Sequence, residues 1–147
     1  MPLFQNAQVL SAVQSAIVTD VSGAWVDVTG VSINLTPGTW IVMANAVPRL
    51  WQSGVAYTKG VAQMRIVDSG VTIVYGLTQN SIDVQNEQAN PQPLSFMFVL
   101  TVTAPTTIKM QGAFQILTGG ANFASGFRWD SGYGQPATMW ATKVVGL

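Results

Sequence analysis

The 147-residue chain contains neither cysteine nor histidine. Without cysteine there are no disulfides, no zinc–thiolate sites and no thiol nucleophiles. Without histidine the chain lacks the commonest general base, the Ser-His and Cys-His nucleophile systems and the commonest transition-metal ligand. Charge is scarce as well. Six acidic and six basic side chains make up 8% of the residues and cancel to a net charge of zero, where an ordinary soluble domain carries about 25% charged residues. The basic residues stand apart, at 49, 59, 65, 109, 128 and 143, so no basic face is available for a phosphate backbone and no nucleic-acid partner is expected. Long apolar runs are missing too. "TWIVMANAV" and "LSFMFVLTV" reach about half of the roughly 20 residues that a membrane-spanning helix needs, so no membrane partner is expected. The opening "MPLFQNAQVLSAVQSAIV" has no basic start and has glutamines inside its apolar part, unlike a secretory signal; synthesis in a cytoplasm is the expectation.

What remains is a β-rich, weakly charged chain of single-domain length, long enough to bury roughly 68–70% of the surface its unfolded form exposes. A surface so poor in charge suits contact with other protein, because charged groups are what interface cores lack. An obligate oligomer, or a subunit of a larger assembly, follows.

Valine, threonine, isoleucine and aromatics dominate, and turn signals recur every eight to twelve residues or so, the pattern of an all-β sandwich or barrel. In "VSINL", Val31, Ile33 and Leu35 alternate with Ser32 and Asn34, the mark of a half-buried strand. "TPG" at Thr36–Gly38 reads as a turn in which proline fixes one φ and glycine takes a positive one. "TWIVMANAV" then runs apolar on both faces, as expected of a central strand covered on both sides or lying at a subunit interface. "GVAQMRIVDSG" and "VTIVYGL" form a hairpin through a short turn at Asp68-Ser69-Gly70. "TQNSIDVQNEQANPQP" reads as a polar loop, and "LSFMFVLTVTAP", "TTIKMQGAFQIL" and "ATMWATKVVGL" as further strands. The total is about eight to ten. Only the stretch around Ala7–Gln14 is a helical candidate.

"WVDVTGVSINLTPGTWIVMANAV", with its aromatic-led strand, Pro-Gly turn and long strand led by Gly-Thr-Trp, resembles the jelly-roll modules of bacteriophage fibre tips and capsid cement or decoration proteins; the closing "MWATKVVGL" looks like the same group. These modules are similar to the complement-type and tumour-necrosis-factor-like jelly roll. The resemblance covers roughly Ser15 to Leu147. It implies an all-β single jelly-roll β-sandwich of antiparallel strands over 15–147, preceded by a short N-terminal anchoring arm over 1–14. It also implies a homotrimer located in a virion and made in a host cytoplasm, in contact with other virion proteins and above all the major capsid protein. Fewer than about twenty residues precede the first clear strand, whereas a fibre tip follows a long repetitive shaft. That favours a cement or decoration protein over the alternative, a receptor-binding tip that takes a surface glycan.

Three groups of residues are candidate contacts. Leu3, Phe4, Val9 and Leu10 of the arm are expected to pack on a sister subunit or a capsid shell. The glycine-aromatic segment "GGANFASGFRWDSGYGQP" holds five glycines and four aromatic rings. Its Phe123, Phe127, Arg128, Trp129 and Tyr133 suit a partner surface or stacking on sugar, although packing at the end of the sandwich or around a threefold axis is the preferred reading. Arg49, Leu50 and Trp51, in the apparent loop "VPRLWQSGVAYTKG", form a second rank. Trp25, Trp40 and Trp140 are assigned to core or interface. Asp83, Asn86 and Glu87 offer too few carboxylates for a calcium site. Nothing pairs Asp68 with Asp83 or Asp130 for glycoside hydrolysis, and Asp68 reads as a turn residue. No cofactor, metal or enzymatic activity is expected.

Overall fold

Alternation in the sequence becomes burial in the fold. Val31, Ile33 and Leu35 are buried, and Ser32 and Asn34 between them are exposed. The computed structural model describes residues 8–16, 18–19, 23–52, 58–84, 89–91, 93–118, 123–127 and 135–144. Among these the chain forms β1 (Val9–Val13), β2 (Val18–Thr19), β3 (Val26–Leu35), β4 (Gly38–Ala46), β5 (Pro48–Gln52), β6 (Thr58–Asp68), β7 (Val74–Val84), β8 (Ala89–Pro91), β9 (Leu94–Val102), β10 (Thr106–Thr118), β11 (Phe123–Phe127) and β12 (Thr138–Lys143). The described residues include no helix.

Two four-stranded antiparallel sheets, β1-β12-β4-β9 and β3-β10-β6-β7, make the jelly-roll sandwich. A third, smaller sheet has the order β2-β11-β5-β8. The core lies between the first two. Trp40, Phe114, Leu35, Met64, Ile66, Ile82, Ile108, Met110 and Met139 are its largest enclosed side chains. The Trp40 indole N–H donates to the Thr36 carbonyl at 2.9 Å, so the largest core ring buries no unpaired donor.

Two glycines explain how the sheets meet. Gly38, at φ +140°, follows Pro37 in the expected turn, and a Cβ there would lie 2.5 Å from Cε of Lys143. Gly30, at φ +87°, marks a bulge where the β3–β10 register shifts between Lys109 and Gln111. Here the start of the chain crosses β3: the Ser15 N–H donates to the Thr29 carbonyl at 2.9 Å, and a Cβ on Gly30 would lie 2.8 Å from the Val13 carbonyl oxygen. On the opposite side Tyr75 and Phe98 stack at 6.4 Å and Phe96 and Phe98 at 5.7 Å, and Gly76 leaves room for the Phe96 ring.

Several expectations are corrected. The helical candidate around Ala7–Gln14 holds the edge strand β1, paired with β12 from Val9↔Thr142 to Val13↔Thr138. Ala12 and Gln14 face the core, and cross-strand pairing overrides the helical preference of alanine and glutamine. The sandwich therefore takes in residues ahead of Ser15. Much of the polar run after Thr78 is strand, since β7 continues to Val84. Its polar side chains have cross-strand partners, as in the 3.0 Å bond from Gln63 to Gln79. The β6–β7 turn spans Ser69 to Ile73. At its base the Asp68 carboxylate accepts from the Gly70, Thr72 and Ile73 N–H groups and from the Thr72 hydroxyl. The Ile73 N–H above all, joined by the Thr72 and Gly70 donors, outweighs the opposing desolvation and holds the Asp68 pKa below its ordinary value.

Candidate functional site

β4 and β9 pair without a break from Gly38↔Val102 to Ala46↔Leu94. One face of each enters the core through Trp40, Val42, Ala44, Leu94 and Val102. "TWIVMANAV" is thus covered on one side only, and its other side chains face outward. Three rows of outward residues cross the sheet in register: Val9–Thr142–Ile41–Val99, Ser11–Trp140–Met43–Met97 and Val13–Thr138–Asn45–Ser95. Thr39 and Thr101 add a fourth pair, their hydroxyls 3.0 Å apart. No ionisable side chain stands in these rows. Val99 is 67% exposed, Met97 64%, Val9 61% and Met43 44%, so the apolar side chains form a continuous patch rather than scattered surface residues.

The outer face of β3-β10-β6-β7 differs. The Arg65 guanidinium donates to the Gln111 side-chain carbonyl at 3.0 and 2.7 Å. The Gln111 amide donates to Asp27 at 2.7 Å, and Asp27 pairs with Lys109 at 2.8 Å. Arg65 also lies 4.1 Å from the centroid of the Trp25 ring. Burial pushes the Asp27 carboxyl up, but the hydrogen bonds from Lys109 and Gln111, with the Lys109 charge, outweigh it and leave the pKa lowered. Gln111 is buried, with its side-chain oxygen and its amide nitrogen both engaged. This face spends its charges on one another and on water.

The candidates expected from sequence are distributed as follows. Val9 is exposed on the apolar face, and Leu10 turns inward and packs against the core. Leu3, Phe4, Arg128, Trp129 and Tyr133 lie outside the described residues. Phe123 and Phe127 bound β11, whose backbone pairs with β5: Ala124↔Trp51, Ser125↔Leu50 and Gly126↔Arg49. The apparent loop around Trp51 is therefore partly strand, and two groups singled out separately belong to neighbouring strands of the third sheet. Missed as contact candidates were Ile41, Met43, Met97 and Val99. Their signal was present, since "TWIVMANAV" and "LSFMFVLTV" lack the regular polar alternation of a strand with one wet face.

A cleft of about 380 Å³ opens at the polar end of the β1-β12-β4-β9 face. It is lined by the ends of β4, β9 and β12 and the residues beside them, among them Asn45, Ser95, Gln135, Thr138 and Trp140. Three or more Asp and Glu carboxylates that could share a metal ion occur nowhere among the described residues.

No protein-family model matches the chain, and no curated protein matches it. Among solved structures it is similar to the Eiger TNF of S. frugiperda, at 11% identity and a TM-score of 0.50, covering 95% of this chain and 94% of that one. It is also similar to a chain of the T13 infectious bursal disease virus particle, at 14% identity and a TM-score of 0.46. A VP2 subviral particle of that virus gives 14% and 0.46. Those matches cover 97% and 96% of this chain but 36% and 38% of the viral ones, so the chain spans little more than a third of their length. At these identities the likeness concerns fold alone, an all-β jelly roll.

Proposed function

We propose that the protein is a virion structural protein, a homotrimeric capsid cement or decoration protein that reinforces the shell. The observation that carries this reading is the uncharged, apolar outer face of β1-β12-β4-β9. A monomer would hold Ile41, Met43, Met97 and Val99 against water, whereas sister copies that cover them gain about 25 cal/mol for each Å² of apolar surface removed. The sequence resemblance to phage cement and fibre-tip modules supplies the virion setting and the threefold assembly. The mechanism is thermodynamic: a protein that binds only the assembled lattice stabilises that lattice by mass action.

A second reading, a receptor-binding tip, draws on the third sheet, which places the glycine-aromatic strand beside the Trp51 strand. One experiment separates the two. Purified particles with and without the protein are heated and osmotically shocked while genome release and host adsorption are recorded. Early genome release with normal adsorption supports the cement role; an intact shell with lost adsorption overturns it in favour of the tip. Sedimentation velocity on the isolated protein tests the trimer directly.

A further inference from the structure

We propose that the outer edge of β9 pairs with β9 of a second copy, antiparallel and centred on Phe98, so that two four-stranded sheets join into one. This contact uses the edge of the sheet and leaves its outer face free, so it does not rest on the cement role. Where the face contact gathers three copies, the edge contact links one such trimer to the next.

β9 closes the β1-β12-β4-β9 sheet on one side. Every second residue of an antiparallel strand turns its N–H and C=O away from the neighbour it already has, and among the described residues no other backbone takes up those groups on β9. An open edge is a template for another strand, and proteins guard it with charge, proline, a bulge or brevity. The other edges of the sandwich show such guards. β1 is five residues long, β3 is bulged at Gly30 and crossed there by Ser15, and the β6–β7 register is broken between Ile66 and Val67. β9 has none of them: "LSFMFVLTV" contains no charged residue and no proline, and its nine residues pair with β4 without a shift.

Two features point to a second copy as the occupant. The first is the strand's own sequence, which is self-complementary about Phe98. Laid antiparallel on itself there, Ser95 faces Thr101, Phe96 faces Leu100 and Met97 faces Val99. Hydroxyl meets hydroxyl and apolar meets apolar, with no like charges opposed, and such cross-strand pairs are what stabilise a sheet. A two-fold axis through the Phe98 pair makes the copies equivalent, and the contact closes on itself. Pairing with the five-residue β1 of a neighbour would instead leave much of β9 uncovered.

The second feature is incomplete burial along the strand. Phe96, Phe98 and Leu100 pack against the core yet stay half-buried, although Tyr75 stacks on Phe98 from β7. A second β9 sets its own Leu100, Phe98 and Phe96 beside them and continues the core across the junction. On the outward side Met97 and Val99, at 64% and 67% the most exposed large apolar side chains among the described residues, gain a neighbour in the same step.

The chain has no cysteine, so introduced thiols report on single positions. Met97→Cys and Val99→Cys proteins are mixed under reducing conditions and then mildly oxidised; covalent dimers are read on non-reducing gels, and circular dichroism checks the fold. In the centred register position 97 of one copy lies opposite position 99 of the other, at a Cα separation of about 4.5–5.5 Å that a disulfide spans. Copies of the same variant hold their thiol positions more than about 7 Å apart, beyond its reach. The mixture should therefore bridge at least about tenfold faster than either variant alone. Phe98→Cys should bridge with itself, whereas Thr101→Cys, with its two copies about 20 Å apart, should not. Three results overturn the pairing: a mixture of folded Met97→Cys and Val99→Cys proteins that forms no bridge; either variant alone bridging as fast as the mixture, which would assign these positions to the face contact; or Thr101→Cys bridging as fast, which would mean another register or open-ended aggregation. Because the isolated protein is used, a particle experiment that goes against the cement role leaves this outcome unaffected.

Discussion

The two outer faces of the sandwich are built from antiparallel strands, yet they handle polarity in opposite ways. On β3-β10-β6-β7, Arg65, Gln111, Asp27 and Lys109 form a connected relay under the Trp25 ring. On β1-β12-β4-β9, no ionisable side chain stands in the outward rows, and Met97 and Val99 are more than half exposed. Among the described residues charge is therefore segregated: one outer face carries a connected set of charged groups, and the outward rows of the other carry none.

The sharpest way to break this contrast is to place a charge at the centre of the apolar face. Met43→Lys and Val99→Lys should leave the β-sheet circular dichroism unchanged and weaken self-association by roughly two to four orders of magnitude. An unpaired charge buried at an interface costs about 3–5 kcal/mol. Sedimentation velocity reads the outcome, and Gln63→Lys on the opposite face is the control that should change nothing. If all three proteins sediment alike, the faces do not differ in role.

A change at the joint between the sheets should strike folding rather than assembly. Gly30→Ala puts a Cβ at a positive φ and against Ser15 and Val13, and a loss of about 2–4 kcal/mol in chemical denaturation is expected from strain and overpacking together. Next in size is Gln111→Leu, which strands the Arg65 guanidinium and removes a donor from Asp27. It should cost about 1–3 kcal/mol without altering oligomeric mass.

The smallest effect is that of pH. The folded-state pKa of Asp27 is lowered, so its contribution is fully present above its unfolded value near 4 and disappears as pH falls below that toward the lowered folded value. Asp27 is half exposed, which keeps the contribution below about 1 kcal/mol. Thermal melts of wild type and Asp27→Asn should converge under strongly acidic conditions and separate slightly at neutral pH.

Much of this fold is readable in the sequence where a strand has one wet and one dry face. Val31, Ile33 and Leu35 announced their burial, and Pro37-Gly38 announced its turn with the positive φ that Gly38 adopts. The polar end of β7 was not readable, because Gln79 is held by pairing with another strand, through Gln63 16 positions earlier, and local composition resembles that of a loop. β1 failed for the same reason, its pairing partner being β12. The apolar face was half legible: "TWIVMANAV" showed that both sides of β4 avoid water, but only the register shows that Ile41 and Met43 are joined by Met97 and Val99. The cleft was not legible at all, since Asn45, Ser95, Gln135 and Thr138 come from segments that meet only in the folded sheet.

The pairing of β1 with β12 also governs when the protein can fold. The Ala137 N–H reaches the Gln14 side chain across 123 positions of sequence, and β4 gains its β12 neighbour only once residues 138–143 exist. Contacts of such separation form slowly. During synthesis, at about 5–20 residues per second, β4 and β9 wait with an incomplete sheet and an apolar surface. The interval before closure is when the chain is most open to aggregation or to capture by a chaperone, and faster translation of its final third would shorten it.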